Sequence, residues 1–129
     1  MKRNLPFVSI VVVNYNGEYL LEDCFNSISA LNYPKDKLEF IMVDNCSTDN
    51  SIVFMQRNYP KVLVIKNDAN NYARGNNLGI KKAKGEFIAL VNNDIQLTKT
   101  WLSELIKVMY RNRGVGAAGG KILFEDGRI

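Results

Sequence analysis

The chain has 129 residues, 47% hydrophobic and 23% charged, which allows one folded domain with a real core but not comfortably two. Its net charge of +4 comes from scattered lysines and arginines, which suits an anionic ligand or surface and argues against nucleic acid as a partner. Histidine is absent and the two cysteines, Cys24 and Cys46, sit in unrelated contexts, so Ser-His and Cys-His catalysis, His-ligated zinc and a disulfide framework are excluded.

The first apolar run, "FVSIVVV" (Phe7–Val13), follows a charged head and ends in "NYNG". It is short, contains Ser9 and lacks a small-residue cleavage site, so it predicts a strand rather than a signal peptide. No stretch approaches the ~20 apolar residues of a spanning helix. Two cysteines with no disulfide framework make a reducing, cytoplasmic setting the expectation, with peripheral contact at the inner face of the membrane as the one membrane role the basic charge would suit.

"EYLLEDCFNSISAL" (18–31) places Leu20, Leu21, Cys24, Phe25, Ile28 and Leu31 at helical spacing. A second strand, "FIMV" (40–43), leads into "CSTDNS", which offers N-caps for a short helix from Ile52 to Asn58. A third strand, "VLVI" (62–65), runs into the polar loop "NDANNYARGNNLG", which opens a helix ending near Lys84-Gly85. The fourth strand, "FIALV" (87–91), ends in "NND", and Thr98 is the expected N-cap of a helix with Trp101, Leu102, Leu105, Ile106 and Met109 on one face. The tail "VGAAGGKILFEDGRI" reads as a glycine-rich strand and a turn at "EDG". Apolar runs alternating with helices predict an α/β domain over residues 1–129, with a mainly parallel sheet covered on both faces.

All four strands end in polar clusters, "NYNG", "DNCSTD", "KNDANN" and "NND". In an open parallel sheet these ends share one rim, where helix N-termini and loop amides gather and ligands bind. There is neither a G-x-G-x-x-G fingerprint after the first strand nor a P-loop. A phosphate-bearing ligand would then need another neutraliser, and a divalent cation held by Asp94 and the ligand's own oxygens would serve. The competing structural roles are ordinary ones. Asp44 could close an Asx turn, Ser47 or Asp49 could cap a helix, Arg74 could be solvated, and Trp101 and Cys24 could belong to the core.

"VSIVVVNYNGEYLLEDCFNSI", "FIMVDNCSTDNS", "YARGNNLGIKKAKGEFIALVNND" and "TWLSELI", in this order and spacing, resemble the nucleotide-sugar-binding half of family 2 glycosyltransferases. Those enzymes have the three-layer α/β/α GT-A fold, and the likeness is strongest to members that transfer rhamnose and related sugars to cell-surface polysaccharides. The resemblance implies that Asn14, Tyr15 and Asn16 contact the nucleoside and that Asp44, with Asn45, meets the base. It implies that Arg74 contacts diphosphate or base. "NND" falls on the D-x-D-like motif, with Asn93 at the nucleotide and Asp94 and Asn92 at a Mg²⁺ or Mn²⁺ ion.

The implied donor is a UDP- or dTDP-sugar and the acceptor a saccharide or lipid-linked sugar, with inversion at the anomeric carbon. The implied general base is expected beyond Ile129, since Glu125-Asp126 lie too soon after "NND" and directly before a glycine. The departures are the amides of Asn92 and Asn93 where many members carry aspartates, Ala69 where asparagine is common, and Asn71 where glycine is common, a position expected to need the φ > 0 that asparagine tolerates. By this reading the chain alone binds donor nucleotide without transferring sugar, and self-associates through the sheet edge near "AAGGKILF". The alternative is a non-catalytic nucleotide-binding or assembly module. A receiver or flavodoxin-like domain fits less well, because "NYN" stands where a receiver needs an acidic pair.

Overall fold

The computed structural model of the protein describes residues 4–129. Its sheet contains four parallel strands, β1 (Val8–Asn14), β2 (Leu38–Asp44), β3 (Leu63–Lys66) and β4 (Phe87–Asn92), in the order β3-β2-β1-β4. The helices α1 (Glu18–Ser29), α2 (Ser51–Asn58), α3 (Tyr72–Lys82) and α4 (Trp101–Arg111) connect or follow them. A chain of parallel strands needs such crossovers, and they put helices on both faces of the sheet.

Strand β1 is central and buried along its whole length. Its even-numbered side chains Val8, Ile10 and Val12 share one core with Leu38 and Met42 of β2, Leu21, Phe25 and Ile28 of α1, Met55 of α2, and Leu102 and Ile106 of α4. Its odd-numbered side chains Val11 and Val13 pack with Ile41 and Val43 against Leu78 and Ala83, under α3. Helix α3 lies close because Gly79 faces Val11 and Val43; a Cβ at Gly79 would run into both valines. These are the three layers, α/β/α.

Ser9 is the one hydroxyl inside β1. It donates to the Glu39 carboxylate and accepts the Gly85 N–H at 2.7 Å. That pairing satisfies the polar group in the core, and β2, paired with β1 from Leu38, starts two residues ahead of the apolar run that predicts it.

Three expectations are corrected. The tail from Val115 onward forms no strand; only the turn around Glu125-Asp126 is present, closed by the Gly127 N–H to the Phe124 carbonyl at 2.9 Å. The residue preceding α4 is Thr100 rather than Thr98, which instead accepts the Trp101 N–H through its backbone carbonyl. Coverage of the sheet is also incomplete among the described residues. On the α3 side of β4, Ile88 and Leu90 stay 38% and 47% exposed, because α3 packs on β1 and β2.

Candidate functional site

The strand order reverses at β1, since β2 and β3 extend to one side and β4 joins on the other. Ligands in doubly wound sheets bind beyond the carboxyl ends of the strands at such a point. A cleft of about 270 Å³ lies there. Val13 and Tyr15 from the end of β1, Asn45 from β2, Asn70 and Tyr72 from the start of α3, and Asn92, Asn93 and Asp94 from β4 line it. A larger hollow of about 360 Å³ sits at the opposite end of the sheet, near Lys35, Glu39 and Lys61. Its Lys35 ammonium is engaged by the Ser29 and Leu31 carbonyls at 2.6 and 3.0 Å, which braces the end of α1.

Of the nine residues that sequence and resemblance point to, Tyr15, Asn45, Asn92, Asn93 and Asp94 meet in the cleft, and Asn14, Asn16, Asp44 and Arg74 do not line it. Asp44 is buried. One carboxylate oxygen accepts the Ser47 N–H, three residues on, at 2.9 Å, and the other accepts Asn14 Nδ2 at 3.2 Å. Asn16, at φ 47°, turns its Oδ1 to the N–H groups of Thr48 and Asp49 at 2.7 and 3.3 Å, and its own N–H donates to Ser47 Oγ at 2.9 Å. Arg74 pairs with Asp68 at 2.8 Å, both side chains more than half exposed.

Asn71 has φ −132° and caps α3, its Oδ1 accepting the Arg74 N–H at 2.9 Å. The expected left-handed turn is therefore not needed there. The left-handed residues of this rim are Asn16 and Cys46.

Three amides of the cleft are held by side-chain hydrogen bonds. Asn93 Nδ2 donates to Asn14 Oδ1 at 2.9 Å, Asn67 Nδ2 donates to Asn45 Oδ1 at 2.9 Å, and the Tyr72 hydroxyl donates to Asn92 Oδ1 at 2.7 Å. Asp94 belongs to none of the ion pairs among the described residues. Its charge reaches the core below. The Cys24 thiol, which leans on the Asn92 carbonyl at 3.7 Å, is pushed up to about 12 by burial first and by Asp94 second. Cys24 is thus an inert core residue.

No group of three or more Asp, Glu, Cys or His side chains among the described residues could hold a metal. One carboxylate flanked by amide oxygens fits a hard cation that takes most of its remaining ligands from a bound diphosphate and water. Asn70 and Tyr72 line the cleft without having been singled out from sequence; the signal for them was their place at the opening of α3, after the polar end of β3.

A doubly wound α/β domain with an amide-rich cleft at its switch point, and one carboxylate there outside every ion pair of the described residues, has its candidate ligand site where such sheets bind ligands. The family model of Glycosyl transferase family 2 matches residues 9–128, and the chain belongs to that family. The chain is 28% identical to the glycosyltransferase AglE of Haloferax volcanii over 129 residues, covering 96% of this chain and 42% of that protein. It is 38% identical to a poly(ribitol-phosphate) beta-glucosyltransferase of Bacillus spizizenii over 92 residues, 67% of this chain and 14% of that protein.

Among solved structures, the mannosyltransferase PcManGT of Pyrobaculum calidifontis, in complex with GDP-Man and Mn²⁺, superposes with TM-score 0.78 at 25% identity, covering 83% of this chain and 33% of that one. TarS 1–349 of S. aureus, in complex with UDP-GlcNAc, superposes with TM-score 0.73 at 27% identity, covering 89% and 37%. The fold is the GT-A glycosyltransferase fold, of which this chain covers part, and the chain spans less than half the length of these relatives. No helix among the described residues is long and apolar enough to cross a membrane.

Proposed function

We propose that residues 1–129 form the nucleotide-sugar-binding part of a glycosyltransferase that builds cell-surface polysaccharide at the cytoplasmic side of the membrane. The donor is a nucleoside-diphosphate sugar, UDP- or dTDP-linked, and the acceptor a saccharide or a lipid-linked sugar. The observation that carries this reading is Asp94, unpaired at the end of β4 and flanked by the amides of Asn92 and Asn93 in a cleft at the switch point.

Asp94 with Asn92 or Asn93 would hold Mg²⁺ or Mn²⁺, which when bound neutralises the diphosphate as it leaves. Tyr15 and Asn45 shape the inner wall for the nucleoside, and Arg74, freed from its exposed partner Asp68, can swing toward the diphosphate. The amide-lined wall orients the sugar so that an acceptor hydroxyl attacks the anomeric carbon from the face opposite the leaving group, with inversion. None of the described residues is assigned as the base for that hydroxyl, so the chain alone binds donor and transfers no sugar.

Titration calorimetry with UDP, dTDP and GDP, in Mn²⁺ and in chelator, tests this on the wild type and Asp94→Ala. Binding that needs the metal and is lost in the variant is expected. Equal binding in chelator would remove the metal from the reading, and no binding of any nucleotide would remove the donor site.

A further inference from the structure

Asp44 lies under the rim, 1% exposed, and does not line the cleft, yet its hydrogen bonds determine what the cleft displays. A carboxylate only accepts hydrogen bonds, so the Asn14 amide beside it must present its NH₂ group, at 3.2 Å. Asn14 Nδ2 also lies 3.4 Å from Ser47 Oγ. The carbonyl oxygen of Asn14 then faces the other way, and what meets it at 2.9 Å must be the NH₂ group of Asn93. That leaves Asn93 Oδ1 as the end of the chain, on a residue that lines the cleft next to Asp94. Flipping either amide would set oxygen against oxygen or NH₂ against NH₂. The polarity of both is therefore inherited from Asp44.

Gly17 makes the central bond possible. Its backbone, at φ −110°, would accept any residue, but a Cβ there would come within 2.6 Å of Asn14 Oδ1 and collide with Asn93 Nδ2. The space between β1 and α1 is left open for this one contact. Asn92 differs, because its own amide oxygen already takes the Tyr72 hydroxyl.

We propose that Asp44 is a positioning residue that acts through Asn14 to hold the Asn93 amide oxygen toward the cleft beside Asp94, so that Asn93 rather than Asn92 supplies the neutral oxygen to a bound cation or ligand hydroxyl. The assignment rests on the reading of the cleft as a donor site, and it replaces direct base contact as the role of Asp44.

The relay is testable without ligand. In ¹⁵N-labelled protein the Asn14 and Asn93 side-chain NH₂ groups are expected to exchange slowly with solvent. Asp44→Asn keeps size and can keep the Ser47 bond, yet it should speed exchange at Asn93 about tenfold or more, since the polarity is no longer fixed. Gly17→Ala should expose the Asn93 NH₂ group while the Asn14 group, still on Asp44, stays protected. Backbone chemical shifts matching the wild type establish that each variant is folded. Unchanged Asn93 exchange in both folded variants overturns the relay.

A double-mutant cycle then joins the relay to the site. Asp44→Asn and Asn93→Ala are each expected to weaken Mn²⁺-dependent UDP binding about tenfold, and the double variant no further than the worse single one. Multiplying losses would mean that Asp44 acts on the ligand independently and would overturn the proposal. A wild-type protein that binds no nucleotide while its amides respond as expected would defeat the donor-site reading and leave the relay standing.

Discussion

Asn45 enters the cleft with the opposite polarity to Asn93. The Asp68 N–H can only donate, and it meets Asn67 Oδ1 at 3.0 Å. Asn67 must therefore turn its NH₂ group to Asn45, whose oxygen accepts it and whose own NH₂ group is left for whatever occupies the cleft. Asn45→Asp would put a carboxylate where a donor stood, at a site 1% exposed. A buried donor lost to a ligand acceptor costs about 1–3 kcal/mol, so nucleotide affinity in calorimetry is expected to fall about 10- to 100-fold. Affinity equal to wild type would show that this amide does not meet the ligand. Arg74 makes the contrasting case. Its partner Asp68 is exposed, and such pairs contribute about 0–1 kcal/mol, so Arg74→Ala should leave the thermal midpoint nearly unchanged. A fall in nucleotide affinity in that variant, with stability intact, is the expected mark of a ligand-facing arginine.

Two loops form the rim because each supplies the other's missing partners. Asn16 and Glu18, at the start of α1, take the N–H groups of Thr48, Asp49 and Asn50, and Asp49 returns the bond by accepting the Glu18 N–H at 3.0 Å. Asp49 also accepts the Ser51 N–H at 3.0 Å, which opens α2. Its partial burial raises the carboxyl pKa, but the hydrogen bonds from Ser51 and Glu18 more than reverse this and hold it below the ordinary value. A depressed carboxyl stabilises the fold above its unfolded pKa and loses that contribution as pH falls through the folded one. The clasp is therefore expected to loosen only below about pH 4, seen as faster amide exchange at Glu18 and Ser51, and Asp49→Asn should abolish that acid response. Under α1 the cost is of another kind. Phe25 is 1% exposed in the main core, and Phe25→Ala should cost about 3–5 kcal/mol in denaturant unfolding. Core positions such as Phe25 and Ile28 were legible because burial follows helical period. The clasp was not, since Asn16 meets Thr48 and Asp49 across more than thirty residues of chain, and no local pattern announces such a bond. Asn71 is the opposite case: its role is local, capping the Arg74 N–H three residues on, and an N-cap asparagine takes the extended backbone seen there rather than a left-handed one.

On the scale of the whole molecule, apolar surface is unevenly distributed. The β2-β1 centre is sealed on both faces, while β4 pairs with β1 alone and leaves its other edge without a partner strand among the described residues. Ile88 and Leu90 add exposed apolar side chains to that edge, and Ile122 and Phe124 of the tail are 75% and 68% exposed. The run "KILF" reads as a strand from its β-branched and aromatic residues, but a strand exists only when another edge pairs with it, and here none does. Propensity was legible; the partner was not. An unpaired edge backed by apolar side chains is a template for the same edge of a second copy, related by a two-fold axis. Sedimentation velocity is therefore expected to show a weight-average coefficient that rises with concentration, and Leu90→Lys, which sets a charge on that face, should hold the chain monomeric. A wild-type chain that stays monomeric at every concentration would mean that the edge of β4 is shielded by its own twist and solvation, and that its apolar side chains face water without drawing a partner.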